Sequence, residues 1–90
     1  MADRRTFVLL HGAFHGGWCW VRVADILRGA GHRVTTPTQT GLGERKHLMS
    51  KHISLDTFVL DVVNHIEFEN LSNVLVGHAL QLFFGRIVHV

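Results

Sequence analysis

The sequence has no tyrosine, one proline and one cysteine among its 90 residues. A single cysteine, Cys19, excludes an intrachain disulfide, and with it the disulfide-stapled class of small secreted domains. A reducing compartment fits that usage, and a cytoplasmic location is expected. Cys19 stands between Trp18 and Trp20, where a small buried hydrophobe is the expected role. Long apolar runs are missing too. No stretch approaches the roughly 20 apolar residues of a membrane span, and "TFVLL" ends at once in His11-Gly12, too soon for a signal-peptide core. Charge is thin: nine Lys and Arg against seven Asp and Glu give a net +2. The sequence pI of 9.3 looks basic, but Arg4, Arg5, Arg22, Arg28, Arg33, Arg45 and Lys46 are scattered. A nucleic-acid face would cluster them and interleave stacking aromatics. Neither nucleic acid nor a membrane is an expected partner.

What is present is globular. Hydrophobic residues make up 47% and charged residues 18%, which is outside the disordered range. Such a length suits one small domain, which buries only about 60% of its unfolded surface and is marginal in stability. "TFVLL" (Thr6–Leu10) reads as a strand buried on both faces. The glycine-rich loop "HGAFHGG" follows. Between residues 18 and 28, Trp20, Val23, Ala24 and Leu27 recur at helical spacing, and Gly29 and Gly31 supply a stop. "HRVTTPT" (32–38) is a second strand, ended by Pro37. "GLGERKHLMSKHI" reads as an irregular polar connection. Ser54 is a good N-cap, and Leu55, Phe58, Val59, Val62, Val63 and Ile66 then keep helical spacing over three turns. "VLVG" is a third buried strand.

Strands alternating with helices imply an α/β fold with a parallel sheet, a three-stranded βαβαβ unit, and if strand 1 lies between strands 2 and 3 its order is 2-1-3. Right-handed crossovers then put the two helices on opposite faces. The loops leaving strands 1 and 3 diverge at the carboxyl edge, where ligands bind in open α/β sheets. Topology thus brings "HGAF" beside "GHAL".

Three chemistries compete for that edge. Phosphate binding fails on spacing. Gly12 and Gly16 do not match Gly-x-Gly-x-x-Gly, Trp18 stands where a P-loop needs lysine, and "GLGERK" lacks the third glycine. Metal binding fails because His11 and His15 lie on a glycine loop with no Glu between them, and there is no cysteine pair. Acyl transfer fits the layout better. It needs a nucleophile on a tight strand-to-helix turn and two backbone N–H groups aimed at the developing oxyanion. Here those would be Ala13, after the first strand, and Leu80, after the nucleophile position.

"FVLLHGAFHGGWCW", "GAGHRVTTPTQTGLGER" and "DVVNHIEFENLSNVLVGH" resemble the N-terminal part of an α/β-hydrolase. The resembling branch holds plant methyl-ester hydrolases, hydroxynitrile lyases and bacterial pyrethroid-type esterases, and the resemblance runs from Thr6 to His78. It implies a carboxylic ester hydrolase for small apolar esters, with neither metal nor organic cofactor. It places the nucleophile at position 79 and the oxyanion-hole N–H groups at Ala13 and Leu80. It makes His11, Gly12, Phe14, Trp18 and His78 substrate-side residues, although core packing is the better expectation for Trp18. His78 is the variable residue of Gly-x-Ser-x-Gly, not the catalytic histidine. The lyase alternative stays open, because the family's discriminating residues lie farther along the chain.

The departure from the family begins at position 79. Ser-x-Gly-Gly is expected, and Ala79-Leu80-Gln81-Leu82 stands there. Without a hydroxyl at Ala79 no acyl-enzyme forms. The run "ALQLFFGRIVHV" departs as a block, which fits a frameshift, a splice or a truncated gene better than a point substitution. The sequence therefore divides into a partial hydrolase domain, 1–78, and a divergent tail, 79–90, whose β-rich composition allows a fourth strand. The expected chain is a hydrolase-family piece without activity of its own. The alternatives are a non-catalytic binding module and an interaction piece completed by a partner chain. Exposed sheet edges would favour self-association.

Overall fold

The computed structural model describes residues 4–12, 14–78 and 86–89. Four strands form one sheet: β1 (Thr6–Leu10), β2 (Arg33–Thr35), β3 (Val74–His78) and β4 (Arg86–His89). Their order is β2-β1-β3-β4. The first three are parallel, in the order 2-1-3, and β4 runs antiparallel on β3. Two helices connect the parallel strands: α1 (Val21–Gly29) and α2 (Leu55–Phe68).

β1 is central and apolar from Phe7 to Leu10, and those residues are buried on both faces. Phe7 and Leu9 point to one face and join Ala24, Val34 and Leu75, with Trp20 and Leu27 of the first connection packed on them. Val8 and Leu10 point to the other and join Val74, with Val62, Ile66 and Leu71 packed there. The period-two alternation of a strand thus sorts α1 and α2 to opposite faces. Val8 has no solvent exposure at all.

Both helices end in the same device. His32 donates its N–H to the Leu27 carbonyl and Gly31 to that of Arg28, at 3.1 and 3.0 Å. Leu71 and Asn70 repeat the pattern on Ile66 and Glu67, at 2.9 and 3.0 Å. These are Schellman closures, which need a left-handed residue just past the helix. Gly31 (φ 94°) and Asn70 (φ 54°) supply it. At the other end of α2, the Ser54 N–H donates to Thr57 Oγ1 at 3.0 Å, one arm of a capping box.

Several expectations change. The first helix is preceded by a 3-10 turn, Gly17–Trp20. The polar connection holds another, Gly43–Leu48. β2 spans three residues rather than the expected 32–38, because residues 36–38 leave the sheet to meet the glycine loop. Cys19 is exposed, since the 3-10 turn aims its neighbour Trp20, not Cys19, at the core. Val23 is exposed, and only part of the α2 stripe is covered: Leu55, Val59, Leu60, Val63 and Phe68 face outward. β4 covers the free edge of β3, so β2 and β4 are the sheet edges among the described residues.

Candidate active site

The site lies at the carboxyl edge of the parallel strands. Register pairs Leu10 with His78, so the loop that begins at His11 starts beside the end of β3. α1 and α2 lie on opposite faces there, which is the open-crevice arrangement of a switch point.

His11 is buried, and both its ring nitrogens are engaged. Nε2 accepts the Gln39 N–H at 2.8 Å. A nitrogen that accepts carries no proton, so in this neutral ring Nδ1 is the N–H and donates to the Gly12 carbonyl at 2.7 Å. The imidazole thus joins the loop after β1 to the loop after β2. Gly12 is buried beside it, and the His15 N–H closes a turn on the Gly12 carbonyl at 3.1 Å.

The other end of the glycine loop is fastened to the same segment. Gly17 donates its N–H to Thr38 Oγ1 at 2.8 Å. The Thr38 hydroxyl in turn donates to Glu44 Oε2 at 2.6 Å. Arg45 Nη1 donates to the Thr38 carbonyl at 2.9 Å. The Thr38 hydroxyl, followed by a backbone hydrogen bond, holds the Glu44 carboxyl below its ordinary value. The segment is itself anchored to α2, where Asp61 accepts from the Thr40 N–H at 2.7 Å and from the Thr40 hydroxyl at 2.6 Å.

Among the residues expected at the site, His11 and Gly12 are inside and shape the loop. Phe14, Trp18 and His78 are exposed. Trp18 was expected in the core. It is instead 57% exposed, with its indole meeting the His15 ring edge-on at 5.9 Å. The 3-10 turn accounts for this, because it inserts Trp20 and leaves Trp18 outside. Ala13, Ala79 and Leu80 lie outside the described residues. Among the described residues no cluster of three or more His, Cys, Asp or Glu side chains is arranged to hold a metal.

Sequence reasoning missed Thr38, Gln39, Thr40, Glu44 and Asp61. The signal lay in "GLGER", which carried the resemblance but was read as an irregular connection. Asp61 had no signal beyond being a carboxylate beside the apolar stripe of α2.

Residues 7–80 match the model of the alpha/beta hydrolase family. The chain is 55% identical over 75 residues to a carbendazim hydrolyzing esterase of a Nocardioides species, covering 82% of this chain and 31% of that one. It is 33% identical over 82 residues to salicylic acid-binding protein 2 of Nicotiana tabacum, covering 89% and 32%. Over 78 residues it is 34% identical to methylesterase 9 of Arabidopsis thaliana, covering 84% and 30%. A solved structure of an extracellular alpha/beta-hydrolase from a Paenibacillus species superposes with a TM-score of 0.70 at 30% identity. That superposition covers 80% of this chain and 28% of that one. The chain thus spans about a third of the length of these relatives.

Proposed function

Because the chain belongs to the alpha/beta hydrolase family, we propose that it carries the oxyanion-loop third of a carboxylic ester hydrolase for small apolar esters. These 90 residues by themselves form no acyl-enzyme. The observation that carries the reading is the buried His11 ring, which fixes the loop 11–17 beside the carboxyl end of β3. The relatives bearing esterase names support the ester-hydrolase class.

In this reading the N–H groups of Ala13 and Leu80 would face the oxyanion of a tetrahedral intermediate, while Gly12 lets the backbone approach the carbonyl carbon. Phe14, Trp18 and His78, exposed at the same edge, would meet the acyl or alcohol part of the ester. Ala79 occupies the nucleophile position, and a methyl group cannot attack a carbonyl carbon. No metal or organic cofactor takes part in this reading. The lone cysteine favours a cytoplasmic location, and among the described residues no helix is long and apolar enough to cross a membrane.

Two measurements test this. A fluorophosphonate probe should leave the 90-residue chain unlabelled, and stoichiometric labelling at one residue would overturn the inactivity. Reading the nucleic acid across codon 78 in all three frames should reveal a continuation with Ser-x-Gly-Gly, followed by an acid and a histidine. A stop in every frame without that turn would move the function to binding.

The outward apolar residues of α2 favour a second reading, an interaction piece completed by another chain or by a second copy. It predicts a complex of fixed stoichiometry.

A further inference from the structure

We propose that Thr38 and Glu44 are positioning residues of the oxyanion loop: Glu44 orients the Thr38 hydroxyl, and Thr38 holds the Gly17 end of that loop through the Gly17 N–H. The inference deepens the hydrolase reading and rests on it for the purpose of the loop, but not for the existence of the clamp.

A threonine hydroxyl has one proton and rotates freely unless something takes that proton. Here the Glu44 carboxylate takes it at 2.6 Å, a length typical of a charge-assisted O–H···O bond. The lone pairs of Oγ1 are then turned away from Glu44, and one receives the Gly17 N–H at 2.8 Å. The bonds run head to tail, so each polarises the next. The lowered pKa of Glu44 agrees with a carboxylate held ionised by this contact.

The clamp is placed to set a loop rather than to fill a core. Thr38 is buried, and Glu44 stands at the surface. Gln39, next to Thr38, holds the first residue of the same loop through His11 Nε2. Two adjacent residues after β2 therefore fix both ends of the segment 11–17. Donor positions within such a loop are useful to an oxyanion only if they are fixed before it forms, because a donor that must reorganise loses much of its electrostatic advantage.

The test uses backbone amide NMR on the 90-residue chain, reading hydrogen exchange at Gly17 and amide positions at Gly12 and Phe14. Thr38→Val keeps the shape and removes the hydroxyl. It should raise exchange at Gly17 at least tenfold and move the Gly12 and Phe14 amides, and Thr38→Ser should restore both. Glu44→Ala should give the Thr38→Val pattern, whereas Glu44→Gln, which keeps an acceptor oxygen, should stay near the parent. If Thr38→Val only lowers the unfolding midpoint and leaves the loop amides in place, or if Thr38→Ser fails to rescue them, the positioning role is overturned. Should the valine variant not fold, the Glu44 pair carries the same decision at an exposed site. A titration with acetate separates the clamp from its purpose. Shifts at the Gly12 and Phe14 amides in the parent, lost in Thr38→Val, support both. An intact clamp with no acetate response in the parent removes the oxyanion reading and leaves the clamp standing.

Discussion

Gly17 and Thr36 approach so closely that a β-carbon on Gly17 would lie 1.8 Å from the Thr36 carbonyl oxygen. The obstacle is backbone, so neither side can swing away. Gly17→Ala must push the glycine loop off the segment after β2, and should cost about 3 kcal/mol or more. Urea unfolding of the variant against the parent checks this. A loss under about 1 kcal/mol would mean that the two loops separate easily.

Asp61 ties the same segment to α2 through two bonds from Thr40. Hydrogen bonds to a charged group are worth about 1.5–3 kcal/mol when sheltered, less when partly wet. Asp61→Ala should therefore cost about 1–2 kcal/mol, and Asp61→Asn less, because one acceptor oxygen remains. Denaturant midpoints of the two variants decide it.

Acid should weaken the fold through His65. Its Nε2 lies 2.8 Å from Thr35 Oγ1. Burial lowers its pKa from 6.5; Glu69 opposes that shift and Arg33 adds to it. A folded value below the unfolded one means the unfolded chain binds more protons. The contribution is complete above 6.5 and lost as pH falls through the folded value. The unfolding midpoint should fall between neutral and mildly acidic pH, and fall less in His65→Gln. Glu44 acts lower, below 4.5, so the two separate by pH.

Val8 is wholly enclosed between β1's neighbours and α2. Val8→Ala removes two methyl-sized groups and leaves a void, a loss of about 2 kcal/mol. In a domain this small that is a large share of the total, so circular dichroism should show a much lower thermal midpoint.

The outward residues Leu55, Val59 and Val63 lie at four-residue spacing on one side of α2, and β2 and β4 are the sheet edges among the described residues. Light scattering at high concentration should show oligomers. Leu55→Lys with Val63→Glu should reduce them if the helix face dominates. A clean parent monomer would contradict self-association.

The fold was legible where one physical rule dominated. The unbroken apolar run of β1, the stripe of α2 and the caps at Ser54 and Gly31 each follow from local chemistry, whereas the order 2-1-3 rested on placing strand 1 between the other two. Trp18 and Cys19 were misplaced because the spacing was read as continuous helix, whereas Gly17–Trp20 is a 3-10 turn; Val23 lies in α1 itself, where Ala24 takes the buried position. The clamp residues were not legible. Thr38, Glu44 and Asp61 act across gaps of 6 and 21 residues, and nothing local marks a threonine hydroxyl as the meeting point of two loops. Only "GLGER" hinted at it, through resemblance and not through periodicity.

The ring of His11 has a further implication. Its Nδ1 proton goes to the neighbouring carbonyl and its Nε2 lone pair is spent on Gln39. An imidazole so occupied works as a mortise between two loops and has no vacancy for a proton taken from a hydroxyl or from water. The histidine that opens the glycine loop is thus poorly placed to serve as a base. Whatever removes the proton in an active relative of this chain must arrive from some other part of the polypeptide.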